Sequence, residues 1–243
     1  ENTLTYNPAI GENQRINALV GFTIQKFRNE TLSALAFDFP DGRTGWHNLG
    51  AAQNPQSPTN SELEWSMLSY IGRVNYSLHA KYLVTLTGRI DGSSKFSEGN
   101  KYGIFPSGAF GWRVSEEPFM QDVEFISNLK LRISYGVVGN QSIAPYQSLP
   151  LIEPFGEGVF NNGPNAEPFY GQEPVSYPNQ DLKWETTEQG SIGMDLSVLE
   201  DRISITAEVY NKNTSDLLLN TPVPYTTGFE TTLLNIGNTR NRG

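Results

Sequence analysis

Apolar side chains recur at every second position in five stretches of the chain. Ile16, Ala18, Val20, Phe22 and Ile24 fall on one side, opposite Gly21, Thr23 and Gln25. Tyr82, Val84, Leu86, Gly88 and Ile90 oppose Thr85, Thr87, Arg89 and Asp91. Leu129, Leu131, Ile133, Tyr135 and Val137 oppose Lys130, Arg132 and Ser134. Ile192, Met194, Leu196 and Val198 oppose Ser191, Gly193, Asp195 and Ser197, and Ile203, Ile205, Ala207 and Val209 oppose Ser204, Thr206 and Glu208. A period of two is the mark of a strand with one apolar face. Two further segments, 70–78 and 105–114, rich in Tyr, Phe, Trp and Gly, read as strands as well. The one plausible helical turn lies in 115–127, where Ser115 precedes Glu116, Glu117 and Pro118 as an N-cap with an acidic first turn.

The connections largely alternate in length. Segments 31–64, 92–104, 139–183 and 214–232 are long or medium, and 79–81 and 199–202 are short. Segment 115–128 is the exception on the short side. In an up-and-down meander every second connection lies at the same end, and outer-membrane barrels sort short turns to one end and long loops to the other. Tyr70, Tyr76, Tyr82, Tyr135 and Tyr210 fall near strand ends, where interfacial girdles sit. A soluble β-sandwich or β-helix also alternates, so the pattern alone leaves both readings open.

Composition narrows the function classes. The net charge is −9, which argues against nucleic acid as a partner. No cysteine is present, so a disulfide scaffold, a thiolate metal site and a cysteine nucleophile are excluded. The longest apolar runs are five residues, against about 20 for a spanning helix. A transmembrane strand needs only about 9–11 residues with every second one apolar.

Three stretches add a family. They are Gly88-Arg-Ile-Asp-Gly-Ser-Ser-Lys-Phe96 with Tyr102-Gly-Ile-Phe-Pro-Ser107 and Gly111-Trp-Arg-Val-Ser-Glu-Glu-Pro-Phe-Met120; Leu129-Lys-Leu-Arg-Ile-Ser-Tyr-Gly-Val-Val-Gly-Asn-Gln141; and Pro178-Asn-Gln-Asp-Leu-Lys-Trp-Glu-Thr-Thr187 running on to Tyr210. This sequence resembles the barrel of the SusC/RagA-type TonB-linked outer-membrane transporters of Bacteroidota, and 235–243 resembles that family's next descending strand. The resemblance implies an all-β, antiparallel up-and-down transmembrane β-barrel. Here it would be partial: about eight strands of a larger plugged barrel of about 22. Signal peptide, plug domain, TonB box and closing strands are not found, so the whole chain, 1–243, is expected to be an internal piece of the barrel. The resemblance further implies energised import of a glycan or a peptide across the outer membrane, with TonB, a SusD-like lipoprotein lid and outer-membrane lipid as partners, and no cofactor. A passive porin or adhesin barrel and a soluble glycan-binding β-protein remain as alternatives.

No enzyme motif is present: His47 and His79 are isolated, and there is no HExxH, G-x-S-x-G or phosphate-binding glycine loop. Segment 38–42 reads as an Asp-Gly turn, and Lys95 is expected to pair with Asp91 in a structural turn. Catalytic and metal residues are therefore not assigned. The alternation places Thr85, Arg89, Lys130, Arg132, Asp195 and Glu208 on the polar stripe, which would face the plug and the wet lumen. Trp46, Phe155, Phe160, Phe169, Tyr170 and Tyr177, interleaved with Asn, Gln and Glu in the long loops, are candidate substrate contacts. Rings with nearby amides and carboxylates suit a sugar. Packing of the loops against each other, or against the lid, is the competing reading.

Overall fold

The computed structural model describes residues 1–43, 45–159 and 168–243; side-chain description excludes 45, 155–159 and 168–170. Among the described residues the strands are, in chain order, β1 (Asn2–Tyr6), β2 (Gln14–Ser33), β3 (Ala36–Phe37), β4 (Asn54–Pro55), β5 (Thr59–Leu78), β6 (Tyr82–Ser93), β7 (Tyr102–Arg113), β8 (Ile126–Asn140), β9 (Ile152–Val159), β10 (Pro168–Pro174), β11 (Glu185–Val198), β12 (Ile203–Ser215), β13 (Leu218–Pro222), β14 (Thr231–Asn235) and β15 (Asn238–Arg242). Nine form one antiparallel sheet in the order β1-β2-β5-β6-β7-β8-β11-β12-β15. The other six pair as ribbons within the long connections: β3 with β4, β9 with β10, and β13 with β14. The sheet is therefore a meander, and it is not closed: β1 and β15 do not pair with each other among the described residues.

Nine wall strands stand where about eight were expected. The extra one, β1, pairs with β2 from Asn2↔Phe22 to Tyr6↔Ala18. Strands β2 and β5 are also far longer than their apolar stripes, pairing from Gln14↔Leu78 to Ser33↔Thr59. The stripe on β2 ends at Ile24, and beyond it Arg28 pairs in register with Glu64, and Glu30 with Glu62. Nine residues from Ile16 to Ile24 match the length that crosses a bilayer. Beyond Ile24 the strand continues with Lys26, Arg28 and Glu30 on the same face.

Register carries the two faces across the wall. One apolar row runs Ile16–Tyr76–Val84–Phe110–Ile133–Ile192–Val209 over seven strands. Its members Phe110, Ile133, Ile192 and Val209 are exposed. A row of this kind, left uncovered, is the opposite of a soluble core. The next row, turned the other way, runs Asn17–Asn75–Thr85–Ala109–Ser134–Ser191–Tyr210. Tyr210 thus lies on the polar face and does not join an interfacial girdle. Its hydroxyl donates to the Asn241 side chain at 2.9 Å.

The short connections use left-handed backbone without glycine. His79 and Ala80 have φ of 52° and 56°, the conformation that suits the right-handed strand twist. Leu199, Glu200 and Asp201 follow at 57°, 57° and 62°. The expected helix in 115–127 is replaced by two three-residue 3-10 turns, Val114–Glu116 and Pro118–Met120. Neither is capped by a side chain. The Glu117 carboxylate is used elsewhere: it accepts from the Tyr82 hydroxyl at 2.6 Å, the Trp112 indole N–H at 3.1 Å and Lys81 at 3.4 Å. Tyr82 and Trp112 are register partners on the apolar face. Glu117 is buried among them, and the Tyr82 hydrogen bond, with those of Trp112 and Lys81, holds its carboxyl below the usual glutamate range.

The β7–β8 ladder is incomplete. It runs from Arg113↔Lys130 to Ser107↔Gly136 and stops. Above that point, among the described residues, Tyr102–Pro106 of β7 pairs with β6 alone and the end of β8 with β11 alone. Pro106 marks the break, because a proline has no N–H to donate to a ladder.

Candidate functional site

The polar face divides into three groups of side chains. Near the short-turn end, the Arg132 guanidinium donates twice to the Asp195 carboxylate, at 2.9 and 3.1 Å, and Thr206 donates to it at 3.3 Å. Lys130 lies in register with Asp195, and Glu208 opposite Gly193. Along the next row of the same face, amides interlock across the strands. Asn17 donates to Asn7 at 2.7 Å, Asn75 to Asn17 at 3.1 Å, and Thr85 to Asn75 at 2.9 Å. Ser134 and Ser191 continue the row at 2.9 Å. Higher up, Arg89 Nε donates to both oxygens of Asp91 at 2.7 Å and its Nη2 to Ser69 at 3.2 Å. Asp91 and Ser69 are buried.

The six expected polar-stripe residues thus share one face, spread over its height. Register brings Lys130, Arg132, Asp195 and Glu208 together and leaves Thr85 and Arg89 apart from them. The expected Lys95–Asp91 pair does not form. Arg89 is two residues from Asp91 on the same strand face and reaches it directly. Lys95, past the turn after Ser93, instead sits 5.0 Å over the Trp65 ring. Burial lowers the Lys95 pKa.

The loop aromatics do not assemble into one described platform. Trp46 stacks on His47 with centroids 3.9 Å apart and is 78% exposed. Tyr177 packs edge-to-face on Phe229 at 5.7 Å, and its carbonyl accepts from Thr232. That is the loop-on-loop packing named as the competing reading. Phe160, and the side chains of Phe155, Phe169 and Tyr170, lie outside the described residues. In 38–42, the Asp41 carboxylate accepts the Arg43 N–H at 3.0 Å, an ordinary turn. No group of three His, Asp or Glu able to hold a metal is found among the described residues.

One feature of the site escaped the sequence reading. Phe96, Phe105, Ile143, Leu182 and Trp184 form a buried cluster under the long loops. Trp184 meets Phe96 at 5.2 Å and Phe105 edge-on at 5.4 Å. Its indole N–H donates to the Lys101 carbonyl at 3.1 Å. The signal was present, since Phe96, Phe105 and Trp184 each sit inside a motif quoted above. Their distance apart in the chain hid the convergence.

Similarity to known proteins agrees with this geometry. The family model for TonB dependent receptor-like β-barrels matches residues 2–243. TonB-dependent receptor P26 of Formosa agariphila is 40% identical over the whole chain, and SusC of Bacteroides thetaiotaomicron is 40% identical over 73% of it. The chain spans 24% and 18% of these two proteins. The solved structure of the RagAB peptide transporter superposes with a TM-score of 0.87 at 25% identity, covering 99% of this chain and 26% of that one. An open amphipathic meander, a match along nearly its full length and a shared three-dimensional course lead to one statement: the chain belongs to the TonB-dependent receptor β-barrel family and forms part of such a barrel.

Proposed function

We propose that this chain supplies wall and outer loops to an outer-membrane importer that takes up an oligosaccharide or a peptide, energised through TonB. The observation that carries the reading is the two-faced register of the sheet, within a family whose members are TonB-dependent receptors. The apolar rows meet lipid and the polar rows line the lumen against a plug. Thr85, Arg89, Lys130, Arg132, Asp195 and Glu208 are then lumen residues. A SusD-like lipoprotein closes the outer mouth, a partner suggested by the likeness to SusC and to the RagAB assembly. Trp46 is the most exposed loop aromatic of the described candidates and is assigned to substrate or lid contact. The chain performs no bond chemistry in this reading.

The test is deletion of the complete gene in its native organism, followed by uptake of labelled oligosaccharides and peptides with and without a protonophore. Loss of uptake of one class, matched by protonophore treatment of the wild type, is the expected result. Unchanged uptake of both classes overturns the reading. Gene-dependent uptake that ignores the protonophore replaces it with a passive porin.

A further inference from the structure

The break between β7 and β8 is closed by side chains where the rest of the wall is closed by backbone. On one side stand Tyr102–Pro106, whose groups facing β8 have no ladder partner among the described residues. On the other stands the end of β8, held by β11 through Thr187↔Val138, Thr186↔Gly139 and Glu185↔Asn140. The Phe105 ring lies in the break. A Cβ at Gly103 or Gly139 would overlap it, so the ring needs glycine on both strands. Trp184, at the head of β11, covers that ring and bonds to Lys101, at the head of β7. It therefore bridges the break from the far side of β8.

The segment that follows β8 adds two more ties. The Ser148 hydroxyl donates to the Lys95 carbonyl at 3.1 Å, and the Glu64 N–H donates to the Tyr146 hydroxyl at 3.1 Å. Both return to the β5–β6 side. One buried group here is left unanswered among the described residues: Gln141 Oε1 meets no donor there, and its Nε2 donates to the Met67 sulfur, at 3.2 Å. An unpaired buried amide oxygen destabilises the closed arrangement.

A full ladder opens only as a unit, whereas four side-chain bonds, one of them to a sulfur, and a set of ring contacts separate locally. We propose that this break is a gate. The outer half of β8, with the head of β11 and segment 141–149, swings from β7 about Pro106–Ser107, and the Phe105–Trp184 contact holds it shut. The gate widens the outer mouth of the barrel on the side where the longest loop stands. Its role in uptake rests on the import reading; its existence does not.

The test uses the full-length receptor in lipid nanodiscs. Tyr102 and Val138 flank the break and are both 61% exposed, so each accepts a spin label through substitution by cysteine. Phe110 and Ile133, in register within the intact ladder, provide the control pair. The 102–138 distance distribution is expected to be broad or two-peaked, and the control narrow. Trp184→Phe, which keeps an aromatic ring of smaller size and removes the N–H donor, shifts the 102–138 distribution to longer distance. Equally narrow distributions, unmoved by Trp184→Phe, overturn the gate. A cleavable cross-linker joining Tyr102→Cys to Val138→Cys is expected to abolish uptake and cleavage to restore it. A moving break with unaffected uptake in the cross-linked receptor removes its role in import. Failure of the unmodified receptor to import counts against the import reading and leaves the distance result standing.

Discussion

Arg132 and Asp195 meet across β8 and β11 through two parallel N–H···O bonds, two residues off direct register. The pair is half-buried, at 35% and 31% side-chain exposure, so solvent screens it only in part. Arg132→Ala leaves Asp195 with Thr206 alone. Charge-assisted hydrogen bonds of this kind contribute about 1.5–3 kcal/mol. The expected outcome is a lower unfolding temperature of the full-length receptor in detergent. Arg132→Lys recovers part of the loss, since an ammonium keeps the charge and lacks the fork.

The two faces respond oppositely to arginine. Leu131 and Ile205 are exposed on the apolar face, and Ser134 and Thr206 turn the other way. An arginine on the lipid side costs about 2–4 kcal/mol at mid-bilayer. Leu131→Arg and Ile205→Arg should lower the folded fraction recovered in the outer membrane, as read by heat-modifiable mobility on gels. Ser134→Arg and Thr206→Arg should leave it near wild type. Equal behaviour of all four would refute the assignment of faces.

Glu117 predicts an acid limit with a defined sign. Its carboxyl titrates below the ordinary value of 4.5 in the folded protein, so the folded state favours the charged form. The stability this provides is fully present above about pH 4.5 and is lost as the pH falls through the lower folded value. Melting temperature should therefore drop on acidification over that window, and the drop should be smaller in Glu117→Gln. A parallel profile in the variant would mean that other carboxylates set the limit.

The aromatic cluster should behave as a core even though it lies at a barrel mouth. Phe105 is 8% exposed, and truncating a buried phenylalanine costs about 3–5 kcal/mol. Phe105→Ala should lower thermal stability strongly. Trp46→Ala, at an exposed ring, should stay within about 0.5 kcal/mol. If Trp46 touches substrate, its loss appears in the concentration dependence of uptake and leaves the melting temperature unchanged.

Topology gives the last expectation. An antibody against 139–183 should label intact cells. An epitope inserted at Glu200, in the short left-handed turn, should be reached only after the outer membrane is permeabilised. Labelling of both on intact cells would contradict the sorting of loops by length.

Much of the wall was legible because a strand between lipid and water must alternate. Strand β1 was missed: Asn2–Tyr6 is too short for its alternation to register. The upper halves of β2 and β5 were missed for a different reason. Beyond Ile24 the outward positions carry Lys26, Arg28 and Glu30, so the hydrophobic signal stops while the backbone ladder continues. Paired charges such as Arg28 with Glu62 at 2.6 Å give no periodic apolar trace. The helix expected near Ser115 failed because Glu117 serves Tyr82 and Trp112, partners set by the register of β6 and β7. The Phe96–Phe105–Trp184 cluster depends on chain segments 88 residues apart at its extremes, and no local pattern encodes that.

The interlocked row Asn7–Asn17–Asn75–Thr85 has a consequence for assembly. Sliding one strand past its neighbour by a single residue turns lipid-facing side chains inward, and the bilayer rejects it. Sliding by two residues restores every face, so hydrophobicity is blind to the error. The amides are not. A two-residue slip sets Asn17 against Arg73 or Ser77, and Asn75 against Leu83 or Thr87, and the chain of side-chain bonds is broken. The row acts as a vernier, reading out a displacement that the greasy surface cannot detect and fixing the stagger from which the curvature of the whole cylinder follows.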